Sequence, residues 1–174
     1  MDIGREATGL ERRFFELCRG IVMEQGLALY DIEYVPSSHL LRLYIINDET
    51  DTAQLDECVR VDKGLTTYIE SEDWMPPELR LEVSSPGIFR KLRTVEHFQR
   101  AKGREIALVL RSDLSKMDIS GSENLPKELS GRKIKGILGD VTDEGIKLTY
   151  ENFSFGLDFE NIKKANLSPN INFK

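Results

Sequence analysis

The sequence predicts an α+β chain in two parts. Residues 1–86 read as two helices on a three-stranded sheet and residues 104–174 as a small β-barrel, with a linker carrying a short helix over 87–103. Three observations carry that reading. Apolar spacing alternates between helical and strand periods in the first half and is almost wholly period two in the second. A Ser-Ser-Pro-Gly stretch at 84–87 punctuates the chain between them. Net charge reverses sign at the same place: residues 1–85 hold 8 basic against 18 acidic residues, a net of −10, and residues 86–174 hold 16 against 12, a net of +4.

The first helix is predicted from Leu10, Phe14, Leu17 and Ile21, spaced by three or four residues. Thr8 and Glu11 have the spacing of a capping box, and Gly26 is placed to end the helix. "LALYDIEYV" (27–35) then alternates, with Leu29, Asp31, Glu33 and Val35 on one face and Tyr30, Ile32 and Tyr34 on the other, as a half-buried strand requires. "PSSH" breaks it, and "LLRLYIIN" (40–47) is its expected hairpin partner. A second helix is predicted over 53–70, with Cys58, Val61, Leu65 and Tyr68 sharing one face. "ELRLEVSS" (78–85) supplies the third strand through Leu79, Leu81 and Val83. Helices covering one face of this sheet hide all the apolar stripes.

Pro86 holds Ser85 extended and Gly87 permits a positive φ, so residues 85–88 suit a type II turn. Thr94 is placed to cap a short helix through "VEHFQRA". Four strands follow, "REIALVL", "KIKGILGDV", "GIKLTYE" and "FSFGLDF", with a tight hairpin at Asp143-Glu144-Gly145 and a closing terminal segment. Residues 112–130, rich in Ser, Gly and Pro, read as a long mobile loop.

Composition excludes several classes. No apolar run approaches a membrane span, and "MDIGREATGLERRFF" lacks the apolar core of a signal peptide, so a cytoplasmic protein is expected. Cys18 and Cys58 each lie in a helical apolar periodicity and read as reduced core residues. No phosphate-binding glycine loop and no Cys/His metal cluster is present. Ser84 and Ser85 lack the glycine frame of a nucleophile elbow, and His39 and His97 stand in polar contexts, so the serines read as turn residues. Asp31 and Glu33 share a strand face without a third ligand, which favours a solvated edge or partner surface over a metal site. Gly136-Ile137-Leu138-Gly139 has the spacing of a KH-type RNA loop but lies inside an apolar strand, where glycines serve close packing.

The basic group is the remaining feature. Residues 86–104 hold Arg90, Lys91, Arg93, Arg100, Lys102 and Arg104 against one acid, Glu96. A solvated face and a contact to RNA phosphate or an acidic partner are both open to it. Pattern alone therefore leaves a two-domain binding module with no cofactor and no catalytic constellation.

Six segments in order, "LALYDIEYV", "LRLYI", "DECVRVDKGLTTYIE", "LEVSSPGIFRKL", "FQRAKGREIALVL" and "FENIKKANLSPNINF", resemble the ribosome maturation factor RimP family over nearly the whole chain. The resemblance implies that the second domain is an SH3-like (Sm-like) barrel. It also implies a non-enzymatic assembly factor that binds the free small (30S) ribosomal subunit; a monomer is expected. Its implied contact is the small-subunit protein numbered twelve, a basic partner that suits the −10 half. The +4 half and its basic linker suit rRNA by charge. Glu33 and Cys58 match family positions, as do Ser84, Ser85, Pro86, Gly87 and Arg90 of the SSPG-x-x-R motif and Ile162, Lys164, Ala165 and Leu167 near the end. Phe89, Lys91 and Asn166 depart from it, Lys91 standing where a proline is usual and Asn166 where an arginine is often found. The expected partner-binding residues are Glu33, Ser84, Ser85, Gly87, Arg90, Lys91, Arg93 and Lys164. The rival reading is a stand-alone Sm-like RNA-binding chaperone.

Overall fold

A computed structural model describes residues 9–117 and 125–168. They fall into two compact units, one within Ala7–Gly87 and one within Ile88–Lys174, each with its own sheet and core.

In the first unit, α1 (Gly9–Glu24) buries Phe14, Cys18, Ile21 and Val22 on one stripe. Thr8 lies outside the described residues. The end of α1 follows from Gly26, whose φ of 73° lets the chain reverse. The amide of Leu27 then donates to the carbonyl of Val22 and that of Gly26 to Met23, a Schellman closure. β1 (Ala28–Val35) and β2 (Leu40–Ile46) form the expected antiparallel hairpin, Val35 opposite Leu40, around a single 3₁₀ turn at Pro36–Ser38. α2 (Leu55–Ser71) crosses over to β3 (Arg80–Ser84), which pairs parallel with β2, giving the order β1-β2-β3. Parallel pairing needs such a crossover, and α2 supplies it.

Phe14 lies at the centre of this core, its ring centroid 5.1 Å from Tyr34 and 5.4 Å from Trp74. On α2, Cys58, Val61 and Leu65 are buried as predicted. Tyr68 is not: it is 43% exposed, and Ile69 packs on the core in its place. The 3.6-residue period carries the stripe from Leu65 to the fourth residue onward rather than the third.

The second unit begins earlier than expected. Leu92, Phe98 and Ala101 join its core, so residues 88–103 are part of its packing and not a separate linker. α3 (Val95–Arg100) starts where Thr94 Oγ1 accepts from the amide of His97 at 3.2 Å. β4 (Glu105–Leu110), β5 (Lys133–Val141), β6 (Gly145–Tyr150) and β7 (Phe153–Asp158) form an antiparallel meander, and β8 (Ile162–Leu167) returns beside β4. The order is β7-β6-β5-β4-β8. Among the described residues no β7–β8 pairing closes this sheet.

The β5–β6 turn is the predicted one, the amide of Thr142 donating to the carbonyl of Gly145 at 2.9 Å. Gly136 faces β6 so closely that a Cβ would stand 2.8 Å from both Leu148 Cγ and the Thr149 carbonyl oxygen. That is the strand-packing role, and it rules out a ligand loop there. The stretch expected as a mobile loop is anchored at both ends: Leu114 and Leu129 are fully buried in the core. The amide of Leu114 donates to Gly131 at 3.2 Å, bringing the two ends together. Residues 118–124 of it lie outside the described residues.

Candidate functional site

The expected site residues divide between the two units. In the first, the helices cover one face of the sheet and leave a row of charged residues on the other. Register places Glu33 opposite Arg42 and Arg42 opposite Glu82. The Arg42 guanidinium reaches Glu82 at 3.0 Å and Glu33 at 3.5 Å, so one cation bridges carboxylates on both flanking strands. Hydrogen bonding to Glu82 and its charge raise the Arg42 pKa further. Tyr44, in the adjacent row between Asp31 and Ser84, has its hydroxyl pKa raised, first by burial and then by Glu33. Glu33 is therefore one end of a three-residue row, a partnership that single-strand reading does not show.

Ser84 ends β3 opposite Tyr44, and Ser85 follows it half-buried. Gly87 has a φ of 75°, as the turn reading required. The turn itself falls two residues later than predicted, on the exposed Ile88 and Phe89 rather than Pro86 and Gly87.

The basic segment then behaves unlike the surface cluster expected. Its backbone runs along the free side of β8: the amide of Leu167 donates to Arg90 at 3.0 Å and that of Leu92 to Ala165 at 2.9 Å, with Lys91 opposite Asn166. Extended backbone sends alternate side chains to opposite faces. Arg90 and Leu92 thus turn inward and Lys91 outward, with Arg90 only 8% exposed. The group does not present three charges to one surface. Neither flanking bond uses the Lys91 amide, so the proline usual at this position would break no ladder bond here. Asn166 Nδ2 donates to the Phe89 carbonyl at 3.0 Å and clips the segment to β8.

Arg93 is half-buried, and its amide donates to His97 Nδ1 at 3.1 Å. His97 is buried, not in the polar setting expected of it, and its accepting nitrogen fixes the entry to α3. Lys102 is held by Asp140 at 2.7 Å, and Arg100 by Glu96 at 3.4 Å. Lys164 stands exposed on β8 opposite Val109.

Chemically the residues brought together here form charged sheet surfaces. Both cysteines are free and buried, and burial pushes the Cys18 thiol up to about 12, far from a reactive thiolate. No helix among the described residues is long and apolar enough to cross a membrane.

Fold and site together define an α+β protein of two compact units, each displaying a charged sheet face. Residues 17–89 match the family model of the RimP N-terminal domain, a match that spans most of the first unit. That domain assigns the first unit to the RimP family, a family of ribosome maturation factors.

Proposed function

We propose that this chain binds the free small (30S) ribosomal subunit and assists its maturation without catalysing a reaction. The match of residues 17–89 to the RimP N-terminal domain carries the reading. Charge supports it: an acidic first half suits a basic ribosomal protein such as the small-subunit protein numbered twelve, and a basic second half suits rRNA. Opposite net charges on the two halves of the sequence would orient such a factor on a ribonucleoprotein. We further infer that the five strands of the second unit roll into an SH3-like barrel. A four-strand meander whose fifth strand returns beside the first, around one core, supports this. The protein acts in the cytoplasm as a monomer.

The test is sedimentation of the tagged full chain with purified free small subunits, whole ribosomes and naked small-subunit rRNA. Preferential co-sedimentation with free subunits is expected. Equal affinity for naked rRNA would replace this reading with the Sm-like RNA chaperone.

A further inference from the structure

The outward face of β8, β4 and β5 carries two cross-strand rows that the expected site residues touch at only two points. One row runs Lys91, Asn166, Ala107, Lys135 and the next Lys164, Val109, Lys133. All four lysines are exposed, and they flank a floor of small neutral side chains. Strand spacing sets the scale: Lys164 and Lys133 are two strands apart, roughly 10 Å, and Lys133 and Lys135 about 7 Å apart along one strand.

Two further cations stand where these strands end. Arg111 Nε donates to the Glu160 carbonyl at 2.8 Å, and Arg132 donates to the Arg111 carbonyl. Neutral carbonyls leave a guanidinium its full charge. None of Lys133, Lys135, Lys164, Arg111 or Arg132 has a carboxylate within ion-pair distance among the described residues. Neighbouring acids include Glu105, one row beyond Ala107, Glu160, which meets Arg111 through its backbone, and Asp113, paired with Lys116 at 3.2 Å. Ile137, 44% exposed, sits opposite Glu105 at the same margin.

We infer that this face is the phosphate-binding surface of the chain, and that its ligand is the backbone of an RNA strand. The inference rests on the proposed subunit binding and assigns its RNA contact to named residues. Charge complementarity selects the ligand: lysines on both sides of an uncharged floor match a line of like-charged phosphates. The floor offers no aromatic platform, so the contact is to backbone rather than stacked bases.

The experiment compares wild type with K133Q/K135Q/K164Q, in which three exposed lysines keep comparable stems and lose their charge. Binding to a fluorescein-labelled RNA hairpin and to an Asp-rich peptide of equal charge is followed by anisotropy across a salt series, with circular dichroism as the fold control. The expected result is a salt slope for RNA lower by about 2–3 in the triple variant, since each lost phosphate contact removes about 0.7–0.9. Lys102→Gln, whose charge is already paired with Asp140, should leave the slope unchanged. Unaltered RNA affinity and slope in the triple variant would overturn the inference. So would a patch-dependent loss for the peptide alone, which would make the ligand an acidic protein. Sedimentation with small subunits separates the two readings. Wild-type binding that the triple variant retains at every salt refutes the patch and keeps subunit binding. Absent wild-type binding refutes subunit binding, while the hairpin series still decides the patch.

Discussion

The two sheets of this protein treat their outward charges in opposite ways. In the first unit, Glu33, Arg42 and Glu82 lie side by side across all three strands, and the cation satisfies an acid on each flank. In the second, Lys164 and Lys133 face outward across Val109 with no carboxylate at ion-pair distance among the described residues. Both sheets follow the same two-residue alternation, so the difference lies in which strands are neighbours. A mixed row organises itself, whereas a like-charged row repels itself and waits for a counter-ion. Net charge alone does not separate the cases; register does.

The widest expected effect sharpens this within the basic segment. Arg90→Ala should destabilise the fold by on the order of 1–3 kcal/mol, because a buried charged side chain is lost, while Lys91→Ala should stay within about 0.5. Equal unfolding midpoints in urea for the two variants would mean that the alternation between them is wrong.

Gly87→Val comes next, at about 1–2 kcal/mol. A Cβ there would meet nothing within 4 Å, so the whole cost is its φ of 75°. Gly87→Asn should recover most of the loss, since asparagine tolerates that backbone region. A valine variant as stable as wild type would remove the turn from the argument.

Glu57 is an acid that the first unit consumes internally. Its carboxylate accepts from the Gln54 amide and from Asn47 Nδ2, both at 2.8 Å, which caps α2 and lowers its pKa below the usual 4.5. The native state therefore holds fewer protons than the unfolded chain. This stabilisation is complete above pH 4.5 and fades as pH falls through the lowered value. Glu57→Ala should cost about 1 kcal/mol at neutral pH. Its acid unfolding limb should be shallower than that of wild type; superimposable limbs would exclude the cap.

The smallest effects test the comparison most directly, through sign. Arg42→Gln leaves Glu33 and Glu82 without their shared cation, so the melting temperature at low salt should fall slightly. Lys133→Gln relieves repulsion, so there it should hold or rise. Both shifts should shrink as salt screens them. Shifts of the same sign would mean the two faces are not electrostatically different.

The sequence by itself determined the elements and the family. Alternation in "LALYDIEYV", helical spacing through Phe14 and Ile21, the stop at Gly26 and the cap at Thr94 are local signals, each set by bonds between residues close in the chain. The motif order from "LALYDIEYV" to "LEVSSPG" identified the family that the domain match over residues 17–89 bears out. Tertiary structure decided what each charge does. Arg90 and Lys91 are adjacent and chemically alike, yet one is buried and the other exposed, because the segment docks along β8 about 75 residues downstream. "KIKGI" already placed Lys133 and Lys135 on one face, and that alternation could have nominated them. Their meeting with Lys164 needed two strands to pair with β4 from either side. Local conformation follows from neighbours in sequence. A surface is made by neighbours in space, and those depend on the register of strands that no short window of sequence contains.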